Sequence, residues 1–192
     1  QTWQSSFGKI LKGQKPPSYS DYIERENMIE DYLDIFRGRN TRSERLFINN
    51  GSYDHPYLDS SEFSNPPKSI KYILVGEAPP PLSKSTYFYN VTHTNSTPYF
   101  SAIRDAFNCR QNNHNKIPVL LCLARMGVLL LDLFPFSISL NTKLRGRINS
   151  TGVTSSFWKD PNNLYSLENR LKYIAPLLDT EWDLSLIAPC VI

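Results

Sequence analysis

Residues 70–81 read Ile70-Lys71-Tyr72-Ile73-Leu74-Val75-Gly76-Glu77-Ala78-Pro79-Pro80-Pro81, an apolar run that passes directly into a small-residue turn carrying one carboxylate. A short continuous apolar run is the pattern of a buried parallel strand, and glycine at its carboxyl end lets another group come close to the backbone. Ligands of open α/β sheets bind beyond the carboxyl ends of the strands. The Gly76–Pro79 turn is therefore expected to hold one. A second segment, Gly127-Val128-Leu129-Leu130-Leu131-Asp132-Leu133-Phe134-Pro135-Phe136, repeats the arrangement, with an acid where the apolar run gives way to proline. Two strand ends with two acids point to one site.

Helical patterns flank these strands. Thr97 and Pro98 form an N-cap and first-turn pair ahead of Phe100, Ile103, Ala106 and Phe107, which share one helical face. Residues 117–126 place Val119, Leu120, Leu123 and Ala124 on one side before Gly127 breaks the run. Upstream, Asp21 is the expected cap of a helix reaching Phe36. Downstream, Asp160-Pro161 is expected to open a helix striped by Leu164, Leu167, Leu171, Ile174 and Leu178, which Pro176 kinks or ends. Residues 140–156 read as a polar connection, residues 79–96 as a loop lining the site, and Asp183 to Ile192 as a further strand. Strands alternating with helices define the α/β class. At 192 residues one domain is expected, with residues 1–67 as a helical and loop region packed on a core at 68–192.

A formal charge of +3 permits contact with nucleic acid without demanding it. The basic residues cluster at Arg37 to Arg45 and at Lys143 to Arg147, patterns that suit solvated faces. Three cysteines, Cys109, Cys122 and Cys190, are odd in number and lack CxxC spacing, which suggests neither a disulfide framework nor a metal site. A reducing cytoplasm is the expected location, and no cofactor is called for. No apolar run approaches the roughly 20 residues of a membrane helix, so no membrane partner is expected.

The two motifs resemble those of the uracil-DNA glycosylase superfamily, in which one strand ends in Gly-Glu-Ala-Pro-Gly or Gly-Gln-Asp-Pro and a later one in Leu-Leu-Asn. Gly76, Glu77, Ala78 and Pro79 match the Gly-Glu-Ala-Pro branches, and Leu130-Leu131-Asp132 stands where the family has its base-reading asparagine. The cluster Tyr87-Phe88-Tyr89-Asn90 follows, where the family places the ring that stacks on the base. The resemblance spans roughly residues 68–192. It implies a three-layer α/β/α sandwich with a short, mostly parallel four-stranded sheet, and metal-independent base excision in DNA repair.

On that resemblance the catalytic residues are Glu77 and Asp132, while Gly76, Ala78, Pro79, Phe88, Tyr89 and Asn90 bind the base. Phe88 and Tyr89 also suit a second role, as core aromatics over the sheet edge. The substrate is DNA carrying a flipped uracil or another deaminated or damaged base, held by its Watson–Crick edge and by stacking on a ring. The chain departs from the family at two places. Ala78 stands where the most active members carry a water-activating aspartate, and the His-Pro-Ser motif that follows the family's fourth strand has no counterpart. His55-Pro56-Tyr57 has similar letters but precedes the first strand and reads as a loop. The alternative is a catalytically silent relative that binds a nucleotide, nucleic acid or protein. A small-molecule hydrolase would need a nucleophile elbow or a phosphate loop, and neither is present.

Overall fold

The computed structural model describes residues 18–38, 69–81, 86–92, 97–109, 115–138 and 153–179. Its elements are α1 (Tyr19–Arg37), β1 (Tyr72–Gly76), α2 (Pro98–Ala106), α3 (Ile117–Arg125), β2 (Val128–Asp132), α4 (Val153–Trp158), α5 (Leu167–Ile174) and a 3₁₀ turn, Ala175–Leu177. Among the described residues β1 and β2 form a two-stranded sheet. At one end the Lys71 and Tyr72 N–H groups donate to Gly127 O, and at the other the Leu133 N–H donates to Gly76 O. Both chains thus advance in the same direction, and the pair is parallel. The protein is of mixed helix and strand type. The expected strand at Asp183 to Ile192 lies outside the described residues, as does most of the region 1–67.

The chain divides into two compact units, one of Gln1–Glu24, Leu74–Lys84 and Leu130–Ile192, the other of Arg25–Ile73 and Ser85–Leu129. The second unit has an aromatic core. Tyr32 packs on Tyr89 at 4.8 Å between ring centroids and on Phe36 at 5.7 Å, while Phe88 meets both Tyr89 and Phe100 at 5.1 Å. The Tyr32 hydroxyl donates to Val128 O at 2.6 Å, so this buried phenol is satisfied by the backbone where β2 begins. Gly127, between α3 and β2, has φ +76, and a Cβ there would lie 2.8 Å from Ser69 O. Glycine alone fits this turn.

In the first unit Phe134, Phe136 and Phe157 pack in a triangle with centroids 5.2–5.8 Å apart. β2 is buried along its whole length, as its Val-Leu-Leu-Leu sequence demands. β1 departs from the expected buried strand, because Tyr72 and Val75 are 53% and 43% exposed. An apolar run reports strand propensity and says nothing of how many faces are covered.

Three local expectations are corrected. α1 is capped by Ser18, whose Oγ accepts the Asp21 N–H at 3.3 Å, so Asp21 lies inside the first turn, where a carboxylate favours the helix dipole. α5 begins at Leu167, not at Asp160-Pro161. Asp160 Oδ1 accepts the Asn162 N–H at 2.9 Å and its carbonyl accepts the Asn163 N–H at 3.0 Å, which makes a turn. Ser166 is the cap, its Oγ accepting the Asn169 N–H at 3.3 Å, and Leu164 is consequently left exposed. Finally, α4 occupies part of the stretch read as a polar connection, and its Phe157 completes the phenylalanine triangle.

Candidate active site at the strand ends

Both strand-end acids belong to the first unit, and the backbone fixes their relation. Beyond the last residues of β1 and β2 the ladder continues, with the Leu133 N–H donating to Gly76 O at 2.8 Å and the Phe134 N–H to Glu77 O at 3.0 Å. The Gly76–Glu77 turn and the segment leaving Asp132 are therefore tied side by side at one edge of the sheet. These bonds engage the carbonyls of Gly76 and Glu77. The half-buried Ala78 N–H has no backbone partner among the described residues. Pro79 behind it is buried, and Pro80, without an N–H, adds no second donor.

The two carboxylates differ in setting. Glu77 is exposed, whereas Asp132, closing the apolar β2, is only 8% exposed. A buried carboxylate must be partnered, because loss of hydration is otherwise uncompensated. On the backbone side of Asp132, Arg170 Nη1 from α5 donates to the Asp132 carbonyl at 2.6 Å. This guanidinium was not singled out in the sequence, where Arg170 is one polar residue in the helical stripe around Leu167 and Leu171. Only the tertiary contact distinguishes it.

The expected ring residues lie in the second unit. Phe88 and Tyr89 are buried, and each packs on protein rings: Tyr89 on Tyr32, Tyr87 and Phe88, and Phe88 also on Tyr99 and Phe100. Stacking on an external base would require one of them to leave that cluster. Asn90 is buried and its Oδ1 accepts both the Thr92 N–H at 3.0 Å and the Thr92 hydroxyl at 2.7 Å, the geometry of an Asx turn. His55, His93 and His114 lie outside the described residues.

Lys116, also in the second unit, is a second residue that sequence reading passed over. Only 1% exposed, it donates from Nζ to Tyr87 O at 3.0 Å and stands 5.2 Å from the centroid of the Phe100 ring. Burial pushes its amine down to about 8. Nothing in the sequence signals this, since a lysine at a helix start normally reaches water.

Among the described residues no group of three His, Cys, Asp or Glu side chains is placed to hold a metal ion, and no helix is long and apolar enough to cross a membrane. Comparison with protein-family models, with curated proteins and with solved structures gives no match.

Proposed function

We propose that this chain is a divergent relative of the uracil-DNA glycosylases that acts on a flipped, deaminated or damaged base in DNA at the carboxyl edge of the β1–β2 pair. The observation that carries the reading is the backbone tie between the Gly76–Glu77 turn and the residues following Asp132, which brings the two family-like motifs to one sheet edge. The finer architecture belongs to the same proposal: a four-stranded sheet in three layers, to which the strand read at Asp183 to Ile192 contributes, in a cytoplasmic protein.

Glycosylases break the bond between base and deoxyribose with the electron pair leaving on the base, so a sugar of cationic character must be stabilised and then captured by water. In this reading the exposed Glu77 carboxylate supplies negative charge or orients that water. The Ala78 N–H donates to a base carbonyl, and Asp132 reads the base edge. An ionised aspartate only accepts, and it repels uracil O4 where asparagine would donate. Amino-bearing bases, which present a donor where uracil has O4, suit it better than uracil or the deaminated purines, whose O6 is repelled in the same way, unless burial keeps Asp132 protonated and able to donate.

A second reading, a catalytically silent base- or nucleotide-binding relative, is favoured by Ala78 at the family's aspartate position and by the protein rings already packed on Phe88 and Tyr89. Duplex and single-stranded oligonucleotides carrying one lesion each separate the two readings. Base release abolished in Glu77→Gln supports the enzyme, while tight binding of an intact lesion supports the silent relative.

A further inference from the structure

Cys109 and Cys122 are free thiols of the second unit, one on the segment leaving α2 and the other within α3. The Cys109 side chain is hydrogen-bonded to that of Cys122. Its sulfur also lies 3.7 Å from the Phe107 carbonyl, so the thiol is held between the end of α2 and the flank of α3. Cys109 is buried, whereas Cys122 is half-buried and reachable from solvent. The backbone delivering Cys109 is fixed as well, since Asn108 has φ 52 and the Cys109 N–H donates to Arg104 O at 2.9 Å. Two thiols already in contact, one buried and one accessible, form a preset pair for oxidation.

We propose that Cys109 and Cys122 are a disulfide site, closed by exchange with a small-molecule disulfide of the oxidised-glutathione class, with Cys122 as the entry thiol and Cys109 as the resolving one. In the first step the Cys122 thiolate, its proton given to solvent, attacks one sulfur of the glutathione disulfide. The old S–S bond breaks and one glutathione thiolate leaves. Cys109 then loses its proton to solvent and attacks the Cys122 sulfur, expelling the second glutathione. The protein loses two hydrogen atoms and one S–S bond forms, while one glutathione disulfide becomes two thiols. Burial, followed by the hydrogen bond and charge of Cys122, pushes the Cys109 thiol up to about 12. In the mixed disulfide the Cys122 charge is gone, but burial, the largest cause, still holds the Cys109 thiol up, so its deprotonation limits the second step and closure quickens with rising pH.

The test treats the full chain with oxidised glutathione and maps the peptides under non-reducing conditions. The expected result is one cross-linked pair joining the Cys109 and Cys122 peptides, with both thiols lost together and recovered by reductant. In Cys109→Ser the intermediate is trapped and glutathione accumulates on Cys122. In Cys122→Ser, Cys109 stays a free thiol. A wild-type protein that carries stable glutathione on Cys122 without the cross-link, or that links either cysteine to Cys190, overturns the proposal. The wild-type map alone decides this if either variant folds poorly.

Discussion

Arg170 Nη1 donates to the main-chain oxygen of Asp132 at 2.6 Å, so a guanidinium from α5 holds the last residue of β2 by its backbone. The carbonyl would otherwise be a half-buried acceptor at the point where the strand ends and the candidate site begins. A charged donor on such a group is worth about 1.5–3 kcal/mol. Arg170→Gln is expected to lower stability by about 1–2 kcal/mol in urea unfolding, while Arg170→Lys recovers part of the loss. A variant as stable as the wild type would show the contact to be energetically idle.

Gly127 is a second backbone constraint. Its positive φ and the 2.8 Å approach of Ser69 O to any Cβ act together. Gly127→Ala is expected to cost about 2–3 kcal/mol, the sum of left-handed strain and a clash with backbone that cannot swing aside. Thermal or urea unfolding measures it, and a neutral alanine would contradict the geometry.

Lys116 gives stability a pH dependence of unusual sign. Burial lowers its amine to about 8 from the ordinary 10.5. Below about 8 the amine is charged in both states, and the cost of burying charge is fully present. Between about 8 and 10.5 the unfolded chain binds more protons than the folded one, so stability rises with pH, by at most about 3 kcal/mol. Lys116→Met is expected to remove that rise. Urea midpoints of both proteins between pH 7 and pH 10 test it, and parallel curves would show that Lys116 is solvated.

The polar turn before α5 is bonded to the helix it precedes. Ser166 caps the helix while Asn169 Nδ2 donates to Asn163 O at 2.8 Å and to Asp160 O at 3.2 Å, which ties the turn to the first helical turn. Ser166→Ala is expected to cost about 1 kcal/mol, and Asn169→Ala about as much. A double variant should lose less than the sum, because both residues hold the same turn.

Local rules account for the legible part of the fold. The Thr97-Pro98 cap is made as read, with Thr97 Oγ1 accepting the Phe100 N–H at 3.1 Å, and Gly127 punctuates α3 as its position implied. Both acids stand at strand ends because the apolar runs stop there. What escaped depends on distant partners. Asp160-Pro161 and Ser166 are equally good caps in isolation, and the hydrogen bonds that make Asp160 a turn residue decide between them. The exposure of Tyr72 and Val75 depends on what covers β1, and the importance of Arg170 and Lys116 rests on Asp132, Tyr87 and Phe100, which are remote in sequence.

The most direct test of the proposed site compares wild type, Glu77→Gln and Asp132→Asn on oligonucleotides bearing single uracil, hypoxanthine, xanthine or amino-bearing lesions. The wild type is expected to release an amino-bearing base in preference to uracil, hypoxanthine or xanthine, Glu77→Gln to lose that activity, and Asp132→Asn to shift preference toward uracil. If no lesion loses its base with any of the three folded proteins, the strand-end acids do not form a glycosylase site.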